Sequence, residues 1–156
     1  MLGARYLEGT PPFKQNTKKS VELLNQAAEL GSEAAHHTLG MVYAFGKGKV
    51  VKKDEKKGLY HLRLAAIGGM LESRHFLGEA YLQESPKLAY KHFLIAAEAG
   101  HDESLKKVKT GYAEGHVEKD VFENVNRAHE AAKNEVKSEA RDKAAEWWRR
   151  QSAGKK

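Results

Sequence analysis

The sequence predicts an all-α chain: a right-handed α-solenoid of stacked antiparallel helix pairs with a long C-terminal helix. Three observations predict it. First, AAELG at 27–31, AAIGG at 65–69 and AAEAG at 96–100 each end one unit. Second, a Leu-Gly pair followed by a tyrosine opens each next one: Leu2-Gly3 with Tyr6, Leu39-Gly40 with Tyr43, and Leu77-Gly78 with Tyr81. The units repeat after 38 and then 31 residues. A period in the thirties means helical hairpins that stack because none can bury its apolar face alone. Third, the 156 residues include three prolines, none inside a periodic segment. Helix is therefore uninterrupted between the turns.

The elements follow in order. Met1 directly precedes Leu2-Gly3, so the chain opens inside a first helix. This is either a piece of a longer array or a unit whose open edge invites a partner. Asn16 then starts the second helix of that unit. The next helix is expected over 32–45, with Ala35, Leu39, Val42 and Tyr43 at helical spacing. Gly46 and Gly48 break it, and a flexible loop is expected to follow. A partner helix begins near Asp54, carries Leu59, Leu62, Ala65 and Ala66, and stops at Gly68-Gly69, where a left-handed residue is cheap. Asn16, Asp54 and Ser85 fall at matching places, four before Ser20, Gly58 and Ala89. All three are good N-cap residues, and Pro86 suits the first helical position. Gly3, Gly40 and Gly78 lie mid-helix, where glycine costs about 1 kcal/mol against alanine. Their recurrence implies close approach of another helix.

The C-terminal part reads as a degenerate unit. A helix over 102–114 turns Leu105, Val108 and Tyr112 inward. A long helix over 119–151 follows, about 50 Å at 1.5 Å per residue. Its stripe of Phe122, Val125, Ala128, Ala132, Val136, Ala140 and Ala144 continues into Trp147, with Trp148 about 100° away. The expected organisation is repeats over 1–116, the long helix over 117–151, and a disordered basic tail over 152–156.

Leu39, Gly40, Tyr43, Gly46, Gly48, Asp54, Lys57, Ala65, Ala66 and Gly69 together resemble the Sel1-like repeat, a relative of the tetratricopeptide repeat with a longer internal loop. The resemblance covers about 2–116. Gly58 stands where that pattern has alanine, which is expected to loosen the helix start. The run 115–142 resembles the ending of uncharacterised short members from algae and other protists. Glu118 and Asn126 depart from that ending. The resemblance implies a helical solenoid and a binding surface.

Catalytic readings find little support. The nearest approach to a phosphate loop, 40–48, has Gly48 where serine or threonine would hold magnesium. His129 begins HEAAK, but Lys133 replaces the second histidine of a zinc-hydrolase helix. The chain contains no cysteine, which removes disulfides and thiolate sites together. A reducing intracellular compartment, cytoplasm or organelle interior, is favoured. No N-terminal signal peptide is recognised, and no stretch reaches the roughly 18 apolar residues of a spanning helix. His37 and His75 are repeat-equivalent, as are His61 and His92. Two polar residues on an inner surface are expected at 37 and 75, without a metal, because no third or fourth ligand is evident. No cofactor is expected.

Formal net charge is +6. The stretch 47–57 holds six lysines against Asp54 and Glu55, and 133–156 holds eight basic and four acidic residues. The expected function is non-catalytic protein binding, as a scaffold, an adaptor or a small subunit of a larger assembly. Its expected contacts are His37, Tyr43, His75 and Glu79 on the first helices of the units. Lys52, Lys53, Trp147, Trp148, Arg149 and Arg150 would add a basic and aromatic contact. The alternative is a nucleic-acid-associated protein using the basic loop 47–57 and the basic C-terminal helix.

Overall fold

A computed structural model describes residues 1–9 and 14–153, with side chains in the last helix described as far as Trp147. Eight helices form among the described residues. They are α1 Leu2–Glu8, α2 Thr17–Glu29, α3 Glu33–Phe45, α4 Glu55–Ile67, α5 Leu71–Tyr81, α6 Pro86–Glu98, α7 Asp102–Ala113 and α8 Lys119–Ala153. None is long and apolar enough to cross a membrane. α8 runs two residues into the stretch expected as a tail from 152, and 154–156 lie outside the described residues. The chain divides into two compact units, Met1–His92 and Phe93–Lys156. That division falls within α6, away from the boundary at 116 expected from the repeats.

Local chemistry sets the helix ends. Asn16 accepts the Lys19 N–H at 3.0 Å and Asp54 accepts the Lys57 N–H at 3.0 Å, each through its side chain. The Ser85 carbonyl accepts the Ala89 N–H at 3.0 Å and closes the first turn of α6. Two further caps directly follow the motif glycine: Ser32 Oγ accepts from Ala35 N–H, and His101 Nδ1 accepts from Ser104 N–H. The Ala-Ala-x-x-Gly motif is a C-terminal lock. In α4, Gly69 N–H donates to Ala66 O and Met70 N–H donates to Ala65 O. Gly69 itself sits at φ 98. Those crossed bonds are the Schellman pattern, and they need a residue that tolerates positive φ. The same pair of bonds closes α2 at Ala27 and Ala28, and α6 at Ala96 and Ala97.

In unit 1 the mid-helix glycines admit leucines from the facing helix. A Cβ on Gly3 would lie 2.8 Å from Leu24 Cγ, and one on Gly40 would lie 2.7 Å from Leu62 Cγ. Leu24 packs with Ala28, Ala35 and Leu39, while Leu62 packs with Ala66 and Leu77. Gly58, expected to loosen the start of α4, also marks a close approach. A Cβ there would lie 2.8 Å from the Ala44 backbone nitrogen, so α3 and α4 touch at this point. Ser20 holds the same place in α2, and its buried hydroxyl donates to Gly3 O at 2.8 Å.

In unit 2 the buried residues include Phe93, Ala96, Ala97, Ser104, Leu105, Val108, Gly111, Val117, Val125 and His129. His129 Nδ1 hydrogen-bonds with Ala97 O at 2.8 Å, and its Nε2 meets Asp102 Oδ1 at 3.0 Å. Lys133 Nζ holds the other Asp102 oxygen at 2.7 Å. The hydrogen bonds from Lys133 and His129 keep the Asp102 carboxyl below its ordinary range. Along the predicted stripe on α8, burial falls off after the first half. Val136 is 68% exposed and Trp147 54%.

Candidate protein-binding surface

Each repeat tyrosine carries a cation. Lys19 Nζ lies 4.7 Å from the Tyr6 ring centroid. Lys57 Nζ lies 4.0 Å from that of Tyr43 and donates to its hydroxyl at 2.8 Å. Lys19 and Lys57 follow their cap residues by three, but that place in the third unit is Leu88. Arg63, reaching from α4, takes over there: its guanidinium carbon lies 5.9 Å from the Tyr81 centroid. Its Nε and Nη2 both donate to the Tyr81 hydroxyl.

Two of these tyrosines also stack on the repeat-equivalent histidines. Tyr43 stacks on His61 with centroids 5.7 Å apart and planes 12° apart. Tyr81 stacks on His92 at 5.7 Å and 17°. His61 Nδ1 lies 3.0 Å from His36 Nδ1, so one ring donates and the other accepts. Burial, then the neighbouring His36 and Lys57 charges, push the His61 imidazole down to about 4. Burial, with Arg74 and Arg63, lowers His92 as well. Its Nδ1 is buried without a hydrogen-bond partner. Tyr43, expected as a contact residue, is half-buried and engaged by both Lys57 and His61.

His37 and His75 do not form a pair. His37 Nδ1 shares a hydrogen bond of 2.7 Å with the buried Ser73 hydroxyl, and burial lowers its pKa. His75 Nε2 faces Glu79 Oε1 at 3.8 Å on its own helix. Both rings lie about 6 Å from Phe76, at 6.0 and 6.1 Å between centroids. Among the described residues no group of histidine, aspartate or glutamate side chains could hold a metal ion.

Three of the expected contacts do converge. Tyr43, Lys52 and Lys53 line an open groove of about 560 Å³ in unit 1. Sequence reasoning missed its other wall, Lys18, Val21 and Glu22 from the start of α2. Nothing in the lysine run at 47–57 points to residues 30 positions earlier, and only the stacking of repeats joins them. The loop itself is tight. Lys47 and Val51 exchange two backbone hydrogen bonds of 2.9 and 3.2 Å, and Asp54 N–H donates to Tyr43 O at 2.8 Å. Val51 is buried while Val50 stays exposed. The flexible loop expected from sequence is a closed hairpin fastened to the end of α3.

A second, more apolar hollow of about 200 Å³ lies between α3, α4 and α5, lined by Met41, Phe45, Leu59 and Phe76 with Glu79 at its edge. Trp147 is half exposed on α8. The side chains of Trp148, Arg149 and Arg150, also expected as contacts, lie outside the described residues.

Comparison with known proteins agrees with this repeat geometry. The Sel1 repeat profile matches residues 1–32, 34–70 and 72–101. The chain is 30% identical over 125 residues to the uncharacterized protein NMB1327 of Neisseria meningitidis serogroup B. The match takes in 80% of this chain and 26% of that relative. Among solved structures, a Sel1 repeat protein from Oxalobacter formigenes superposes with TM-score 0.69 at 26% identity. That superposition covers 83% of this chain and 56% of the other. Protein c5321, a protective antigen of uropathogenic Escherichia coli with an SLR fold, gives TM-score 0.71 at 27% identity. There the coverage is 84% of this chain and 29% of the other.

Proposed function

We propose that this chain, which belongs to the Sel1 repeat family, works as a non-catalytic scaffold, adaptor or small subunit that binds other proteins through unit 1. Sel1 repeats generally mediate protein–protein interaction. One observation carries the reading to this chain. The polar residues at repeat-equivalent positions are spent on the fold, as Tyr43, His61, Tyr81 and His92 stack in pairs. Lys52 and Lys53, from the loop between repeat helices, instead line an open groove together with Lys18, Val21, Val50 and Val51. Exposed cations beside apolar side chains are a surface that a partner of opposite charge can complement.

Affinity purification of the tagged chain from its source, at low and high salt and with nuclease, tests this. A fixed set of proteins, retained at low salt, reduced as salt rises and insensitive to nuclease, is the expected result. Recovery of nucleic acid, or loss of the proteins after nuclease, would overturn it in favour of the basic-surface alternative.

A further inference from the structure

We infer that the groove of unit 1 takes an extended acidic peptide segment of a partner protein, its carboxylates held by Lys18, Lys52, Lys53 and Lys57. This rests on the protein-binding reading and specifies the chemistry of what is bound.

Charge complementarity carries it. Four ammonium groups from α2, the hairpin and α4 line one groove, against two carboxylates, Glu22 and Asp54. Asp54 is committed to capping α4. Lys57 is tied to a neutral hydroxyl, that of Tyr43. Lys53 meets Glu55 at 3.9 Å with both side chains about two-thirds exposed, at 65% and 66%. Such a pair is weak and open to competition. Lys18 and Lys52 form no ion pair among the described residues. Cations gathered this way repel one another until an anion arrives, so the groove gains from binding one. Val21, Val50 and Val51 add apolar surface between the lysines. An extended strand alternates its side chains, so carboxylates and apolar groups can reach the two kinds of surface in turn.

Nucleic acid fits the same groove less well. Single-stranded binding needs a free aromatic face on which bases stack. The aromatic residue of this groove, Tyr43, is already engaged by the Lys57 ammonium and by the stacked His61 ring. Glu22 also stands in the wall, where a continuous phosphate backbone would meet it.

The test is fluorescence polarisation on the full chain with three labelled probes: a Glu-Val octapeptide repeat, its Gln-Val counterpart, and octathymidylate. The Glu-Val peptide is expected to bind, more weakly as salt rises, and the Gln-Val peptide is not. Lys52→Glu with Lys53→Glu should weaken binding at least about tenfold, whereas Lys107→Glu with Lys109→Glu, the same charge change in unit 2, should change it by less than about twofold. Should the first pair fail to fold by circular dichroism, Lys52→Ser with Lys53→Ser gives the same comparison without reversed charge. The inference is overturned by no binding up to millimolar peptide, by equal binding of the Gln-Val peptide, by equal losses in the two charge variants, or by tighter binding of octathymidylate. If the purification retains the same proteins with Lys52 and Lys53 reversed, the groove inference fails and the protein-binding reading stands. If the peptide binds but the purification retains no protein, that reading fails by itself.

Discussion

Gly58→Ala separates helix propensity from helix packing, because the two act in opposite directions at one residue. In an isolated helix the change should stabilise by about 1 kcal/mol. In this structure the new Cβ would sit 2.8 Å from Ala44 N and 3.0 Å from Ala44 Cα and Cβ. Two of those three atoms are backbone, so no rotamer change relieves the contact. α3 and α4 must move apart by several tenths of an ångström along a tightly packed interface. Overpacking of this kind costs about 1–3 kcal/mol, and the rigid neighbour argues for the upper half, about 2–3. The net expectation is a loss of about 1–2 kcal/mol, the packing cost less the propensity gain. For a chain of this size that lowers Tm by about 2–8 °C. Thermal and urea melts followed by helical circular dichroism measure it directly. A Tm equal to or above that of the parent chain would refute the reasoning, since it would mean that the helices part at no cost.

Three further outcomes follow from the same contacts. Because burial holds His61 at about 4, below its unfolded value near 6.5, the unfolded chain takes up the proton first as pH falls. Stability should therefore be full above pH 6.5 and decline between 6.5 and 4, by at most about 3 kcal/mol from this residue. Urea midpoints from pH 7 to 4.5 check this, and His61→Phe should flatten the slope. Gly69→Ala keeps open space around the new methyl but forces it to φ 98. It should cost about 1–2 kcal/mol in the same melts. His129→Leu removes the bonds to Ala97 and Asp102. It should cost about 1–3 kcal/mol, read as faster amide exchange in the first half of α8.

The order and spacing of helices were legible in the sequence because they rest on short-range chemistry. Asn16 and Asp54 cap within three residues, and Ala-Ala-x-x-Gly closes its hydrogen bonds within six. Gly3 and Gly40 announced a close approach through their cost in an isolated helix. The lysine run was legible too, and Lys52 and Lys53 do line the groove. Its second wall was not, since Lys18 meets them only after α2 packs beside α3.

What the sequence by itself determined is the repeat: where helices start and stop, which face is small, and that the fold is an all-α solenoid of the Sel1 kind. Each of these depends on residues within one or two turns of each other. Tertiary structure alone decided which polar residues are taken up by the fold. Tyr43 and His37 have the composition of contact residues, yet stacking on His61 and bonding to Ser73 tie them into the fold. Gly58 has the composition of a weak helix start, yet the Ala44 backbone, 2.8 Å from where a Cβ would stand, makes it a contact point. Those outcomes depend on partners 14 to 36 residues away, whose positions are set only when one helix pair packs on the next.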